Sequence, residues 1–234
     1  MSHFTNSLNH ISRAAHKAAK QATGGGLGYP SKMPGTSYGI SALMCKVGSK
    51  LAQIKGSTCE ICYALSRNYR YPSVTIAHAN RLASLKNPQW TGAMAYLIQD
   101  EVAKGGEPYH RWHDSGDLQS VEHMTKICAV AALTPQIKHW LPTRELKTVQ
   151  DYLAQGGTIP DNLTVRLSAY MIDRPATQAW PVTSGVHTDT NQRWISRKQG
   201  KKTYVCPAPK QGNKCMDCRA CWSKNVPHVS YHQH

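Results

Sequence analysis

Residues 109–169 read YHRWHDSGDLQSVEHMTKICAVAALTPQIKHWLPTRELKTVQDYLAQGGTIPDNLTVRLSA. Tyr109–His113, Ile137–Leu141 and Leu163–Ala169 are short runs rich in aromatic, β-branched and aliphatic residues, which predicts three strands. Between them, 119–133 and 145–155 place apolar residues at helical period, and Gly156-Gly157 closes the second run. Strands alternating with helices of this length form βαβ units, and hence a parallel sheet with right-handed crossovers. The expected fold class is α/β: a short parallel sheet or partial (β/α) barrel with flanking helices.

Working toward the N-terminus, helical patterns cover about 60–69, 73–86 and 88–104, the last opened by Pro88 and closed by Gly105-Gly106. Residues 29–58, punctuated by Pro and Gly around Cys45, read as irregular, and 5–22 read as a helix that the glycines at 24–26 and 28 end as a hinge. Beyond residue 181 the chain is strand-poor, polar, basic and then rich in Cys, which predicts a loop-rich lobe held by a metal rather than by a core. Three regions result: 1–28, a helical arm and hinge; 29–180, the α/β core with a first cysteine group; 181–234, a basic, Cys-rich metal-binding lobe packed on that core.

The 234 residues carry 28 Lys and Arg against 13 Asp and Glu, a net charge of +15, with 40% hydrophobic residues. That balance excludes wholesale disorder. No apolar run reaches the ~18 residues of a membrane span, and the N-terminal residues lack a signal-peptide h-region, so a cytoplasmic location with no membrane partner is expected. Eight cysteines in such a setting suggest metal ligands or buried thiols rather than disulfides.

Cys206-Pro207 followed by Cys215-x-x-Cys218-x-x-Cys221 is the clearest chemical signal. Two-residue gaps turn successive thiolates toward one centre, and the arm from Cys206 returns a fourth, a pattern of iron–sulfur loops. A [4Fe–4S] cluster is the first choice, with zinc, which also takes four thiolates, as the alternative. Cys45, Cys59 and Cys62 form a second group, with Cys59-x-x-Cys62 expected to open a helix capped by Thr58. Three thiolates suit a share in the first centre, or a second cluster with one iron left to a non-protein ligand. Cys128, among Ile127, Ala129 and Val130, reads as a core thiol.

Ligands of a parallel sheet bind outside the carboxyl ends of its strands. There the sequence offers His113 as proton carrier or ligand, Asp117 to orient it or act as base, and Arg144 to hold a carboxylate or phosphate of an unknown small molecule. The competing expectation is that Asp114, Asp117 and Ser120 merely cap the next helix. From Arg193 onward there are nine Lys and Arg against one Asp, interleaved with Trp194, Tyr204, Trp222 and Tyr231. Residues 193–224 could therefore contact nucleic acid or another polyanion, or simply offset an anionic metal centre. The histidines at 228, 232 and 234 read as a frayed terminus.

The stretches MPGTSYGISALMCKVGSKL (33–51), GSTCEICYALSRNYRYP (56–72), HRWHDSGDLQS (110–120), HWLPTRE (139–145), NLTVRLSAYM (162–171) and CPAPKQGNKCMDCRACW (206–222) together resemble the bacteriophage gene-product-eighty-eight family. The resemblance runs from about Lys32 to the C-terminus and implies a phage origin and the cytoplasm of the infected host, with no settled activity. A looser similarity, to the partial barrels of radical S-adenosylmethionine enzymes, lacks their Cys-x-x-x-Cys-x-x-Cys loop.

Overall fold

The computed structural model describes residues 13–233. Residues 13–22 form helix α1, which lies outside the sheet; the rest of the predicted 5–22 helix falls outside the described residues. Seven strands follow: β1 (Thr36–Tyr38), β2 (Tyr109–Trp112), β3 (Lys138–Thr143), β4 (Leu163–Ser168), β5 (Thr183–His187), β6 (Thr203–Val205) and β7 (His228–His232). They make one sheet in the order β1-β2-β3-β4-β5-β7-β6, every neighbouring pair parallel. The sheet is open, which corrects the barrel option. Helices α2 (Lys46–Leu51), α3 (Pro72–Ser84) and α4 (Trp90–Ala103) lead from β1 to β2, α5 (Val121–Leu133) to β3, α6 (Leu146–Ala154) to β4, and α7 (Gln192–Gln199) to β6.

Because β1 to β5 are laid down in order, crossovers of one hand put their helices on one face. The main core lies there: Trp90, Met94 and Ile98 of α4, Met124, Ile127 and Val130 of α5, and Val149 of α6 against Trp112, Leu141, Val165 and Leu167. Cys128 is buried on the helix side, as expected. Asn162 ties this layer to the sheet: its Nδ2 donates to the carbonyls of Ala131, Thr134 and Ile137 at 2.9–3.0 Å. Asn162→Ala leaves these buried acceptors without their donor, and a loss of about 2 kcal/mol in urea unfolding is expected.

Three expectations from the sequence are corrected. The region after 181 is no strand-poor lobe, since β5, β6 and β7 extend the same sheet and His228 lies in its interior rather than at a frayed end. The glycines at 24–26 are no free hinge: a Cβ on Gly24 would stand 2.3 Å from the carbonyl oxygen of Asn80, so the chain there is pressed onto α3. Residues 60–69 form two single turns of 3₁₀ helix, Tyr63–Leu65 and Arg67–Arg70, in place of one helix.

Candidate functional site

The face of the sheet opposite the helices is covered by residues 206–227, which run from the end of β6 back across β7, β4, β3 and β2. Trp222 packs on Trp140 and Tyr109, its Nε1 donates to the His110 carbonyl, and Thr164 donates to the Trp222 carbonyl. Arg219 lies over the Tyr109 ring and pairs with Glu107 at 2.5 Å. Beneath this segment sits Arg166, wholly buried in the middle of β4. Its Nη1 donates to the carbonyls of Thr183 and Val226, and its Nη2 to those of Ala220 and Ser223, all within 2.9–3.1 Å. No carboxylate pairs with it among the described residues; burial lowers it from the usual guanidinium range, with the Tyr231 hydroxyl and the Cys221 thiol near enough to oppose that shift.

The loop brings Cys206, Cys215, Cys218 and Cys221 together. Cys206 lies within electrostatic reach of Cys218, Cys215 of both, and Cys221 of Cys206 and Cys215. Tyr231 Oη stands 3.2 Å from the Cys221 sulfur and Tyr204 Oη 3.5 Å from that of Cys218. Arg111 of β2, stacked on Trp140, is felt by Cys215 from the other side. Burial pushes the Cys221 thiol up to about 12, against the Tyr231 hydrogen bond and Arg166, and it also raises Cys206 and Cys215. Among the described residues no three His, Cys, Asp or Glu side chains form a group that could hold a metal ion.

Cys45, Cys59 and Cys62 lie elsewhere, at the carboxyl edge of the sheet, in a loop pinned to three strand ends. Glu145, after β3, accepts from the Val47 amide at 2.8 Å; Thr58 donates to the Ala169 carbonyl after β4; Tyr63 donates to the Asp114 carbonyl after β2. Cys59 does not open a helix, and Thr58 is not its cap. Ser57 Oγ takes the amides of Cys59 and Glu60, so a serine turn competes with helical hydrogen bonding. A Cβ on Gly48 would lie 3.6 Å from the sulfur of Cys45 and 3.6 Å from that of Cys59. Burial pushes Cys45 up to about 12, with Asp117 and Cys62 adding and Arg144 opposing.

Two of the three strand-end residues join this group. Arg144 directs Nε and Nη2 to Thr58 Oγ1, at 3.1 and 2.8 Å, beside Cys59 and Cys45. Asp117 accepts from the Leu118 amide, Thr143 Oγ1 and the Arg144 amide, which fixes the turn after β3; burial raises its carboxyl to about 6 against these bonds. Only Ser120 caps α5, through the His123 amide, and neither Asp114 nor Asp117 does. His113 is not brought to Arg144. Its backbone is left-handed, with φ of 55°, and its imidazole packs on His123 with ring centres 5.2 Å apart and both nitrogens buried without a partner. Burial holds it well below the usual imidazole range, with His123 and Arg111 adding.

A family model described as Gene product 88 matches residues 6–224. The chain belongs to the Gene product 88 family. The match begins upstream of the Lys32 boundary expected from the motifs, so it takes in α1, which Ala19 anchors in the core. No curated protein and no solved structure matches. The likeness to radical S-adenosylmethionine barrels therefore draws no support from any known structure. Among the described residues no helix is long and apolar enough to cross a membrane.

Arg111 and Arg166 are site residues that the sequence reading does not single out. Arg166 was visible as a lone cation inside the apolar run LTVRLSA, but it faces the loop from mid-strand rather than the strand ends.

Proposed function

We propose that this Gene product 88 protein is an iron–sulfur protein whose [4Fe–4S] cluster is held by Cys206, Cys215, Cys218 and Cys221. The observation that carries the reading is Arg166: a buried guanidinium without a carboxylate, beside the Cys221 thiol of the four-cysteine segment. A buried charge needs compensation, and a cluster ligated by four thiolates supplies negative charge at that place. Arg166, near Cys221, and Arg111, near Cys215, would then offset the charge of the centre, and with thiolates as ligands the Tyr204 and Tyr231 hydroxyls, 3.5 and 3.2 Å from the Cys218 and Cys221 sulfurs, would turn their protons toward them. Three cysteines at consecutive two-residue spacing, Cys215, Cys218 and Cys221, with Cys206-Pro207 before them, favour a multinuclear cluster over zinc. When bound, such a cluster supplies one-electron transfer. The thiol-rich, disulfide-free chain suits the reducing cytoplasm of an infected host.

Protein purified without oxygen is expected to be brown and to carry iron and sulfide. The pair Cys215→Ser with Cys218→Ser is expected to lose about four irons per chain while circular dichroism is retained. A colourless protein with stoichiometric zinc would sink this reading. The lead would then pass to nucleic-acid binding through residues 193–224, where Trp194, under the Lys198 ammonium, and Tyr204 are the aromatics that reach the surface.

A further inference from the structure

We propose that Cys45, Cys59 and Cys62 hold a second cluster at the carboxyl edge of the sheet, one of whose irons has no protein ligand and takes a small carboxylate held by Arg144. The proposal extends the iron–sulfur reading to a different set of thiols, and either can fail alone.

Four observations place it. The loop carrying the three cysteines is fastened to the ends of β2, β3 and β4, the edge where parallel sheets bind small molecules. Gly48 leaves a cradle between two of the sulfurs: any side chain there would stand 3.6 Å from both. Cys59 and Cys62 share one tight turn, the Cys62 amide donating to the Cys59 carbonyl at 3.2 Å, Cys45 lies near enough to feel both, and among the described residues no fourth cysteine joins them. Arg144 spends Nε and Nη2 on Thr58 and has no protein acceptor at Nη1. A cubane cluster has four irons and this group has three thiolates, so one iron faces outward beside a guanidinium suited to a carboxylate. Leu43, Met44, Ile61 and Tyr63, adjacent to these cysteines in the chain, are exposed.

An iron without a thiolate leaves first. Ferricyanide takes one electron from a [4Fe–4S]2+ cluster, the resulting 3+ cluster releases Fe2+, and a [3Fe–4S]1+ cluster with its own electron paramagnetic resonance signal remains; a cluster with four thiolates resists this loss. Full-length protein reconstituted anaerobically with ferrous iron and sulfide is expected to bind about eight irons per chain and to give the three-iron signal on titration with ferricyanide. Cys59→Ser with Cys62→Ser is expected to remove half the iron and the whole of that signal, whereas Cys215→Ser with Cys218→Ser removes the other half and spares it. Gly48→Ala puts a better helix former into α2 yet sets a Cβ 3.0 Å from that of Cys45 and should lower the iron held by Cys45, Cys59 and Cys62, which separates the effect from unfolding. Millimolar glycolate or glycine, but not methylamine, is expected to shift the reduced-cluster spectrum, and Arg144→Gln should weaken that response at least tenfold at unchanged iron content.

Iron that is insensitive to Cys59 and Cys62, or the absence of a three-iron signal, would overturn the second centre while leaving the cluster at Cys206–Cys221 standing. Iron lost only through Cys59 and Cys62 would do the reverse. A three-iron signal with no response to either carboxylate would overturn the ligand assignment.

Discussion

Arg166→Met is expected to destabilise the protein by about 3–5 kcal/mol, a large part of the 5–15 kcal/mol that holds an ordinary domain together. Methionine fills most of the volume but donates nothing. The carbonyls of Thr183, Val226, Ala220 and Ser223 then stay buried with their donor gone, and each unsatisfied acceptor costs about 1–3 kcal/mol, less than additively because the loop can relax. Three of these carbonyls belong to the segment that covers the sheet, so the loss falls on its attachment. Arg166→Lys separates the causes: it keeps the positive charge but replaces a rigid fork with a point donor that cannot reach four acceptors. If the guanidinium mainly clamps carbonyls, Lys should be nearly as destabilising as Met. If its charge mainly offsets the thiolates, Lys should recover iron content that Met loses. A urea midpoint for Arg166→Met within error of the parent would show that the buried fork is not what fastens the loop.

The half of the sheet that sequence alone makes legible is the half built on apolar rhythm. β2, β3 and β4 lie within two residues of their expected bounds because each feeds aliphatic or aromatic side chains to the helix-side core. β5 and β7 read TSGVH and HVSYH, and nothing in those letters announces interior strands. They are buried because their polar groups satisfy one another: Thr183 Oγ1 with His228 Nδ1 at 2.9 Å, His187 Nδ1 with Ser230 Oγ at 2.8 Å, and His187 Nε2 with Gln199 of α7 at 3.0 Å. Such pairing is a property of register, and a single strand does not display it. β1 is three residues long between Gly35 and Gly39, too short for any period.

The cysteines were legible for a related reason. A ligand spacing is a local constraint that a sequence displays, whereas the direction of a strand-end side chain is a tertiary one. Asp117 and His113 are four residues apart, yet the left-handed backbone at His113 turns its ring toward α5 while Asp117 stays with β3. The same turn explains why Asp117 does not orient His113: its oxygens accept from Leu118, Thr143 and Arg144, and the imidazole nitrogens have no partner. The basic C-terminal stretch divides similarly once folded: Arg219 is taken by Glu107, Lys198 lies over Trp194, and Trp222 lies under the loop rather than at a surface where a base could stack.

Acid should unfold this protein early, with a midpoint near pH 5. Burial lowers His123, His139 and His228 to about 3 from the usual 6.5, and holds His110 and His113 well below that range as well. Below about pH 6.5 the unfolded chain takes up protons on these imidazoles and the native chain does not, so stability falls with falling pH until the folded values near 3 are reached. Each group contributes about 1.4 kcal/mol per pH unit in that window. The three with values near 3 would remove about 6 kcal/mol by pH 5, an upper bound that local opening would reduce and that is still comparable with the whole stability of a domain. Asp117 works the other way: its carboxyl, raised to about 6, contributes stability in acid that is lost as pH rises through 6. Asp100 and Asp173 are lowered and lose their contribution as pH falls, which adds to the histidines. One carboxyl against several imidazoles leaves the sum falling in acid. Urea midpoints at pH 7.5, 6 and 5 should therefore drop steeply, and His123→Gln, which takes one imidazole from the core beside Trp90 and His113, should flatten the slope by about one proton. A midpoint that stayed level from pH 7.5 to 5 would mean that these rings reach water or a partner, and that the unpaired nitrogens between the sheet and α5 are not kept neutral by burial.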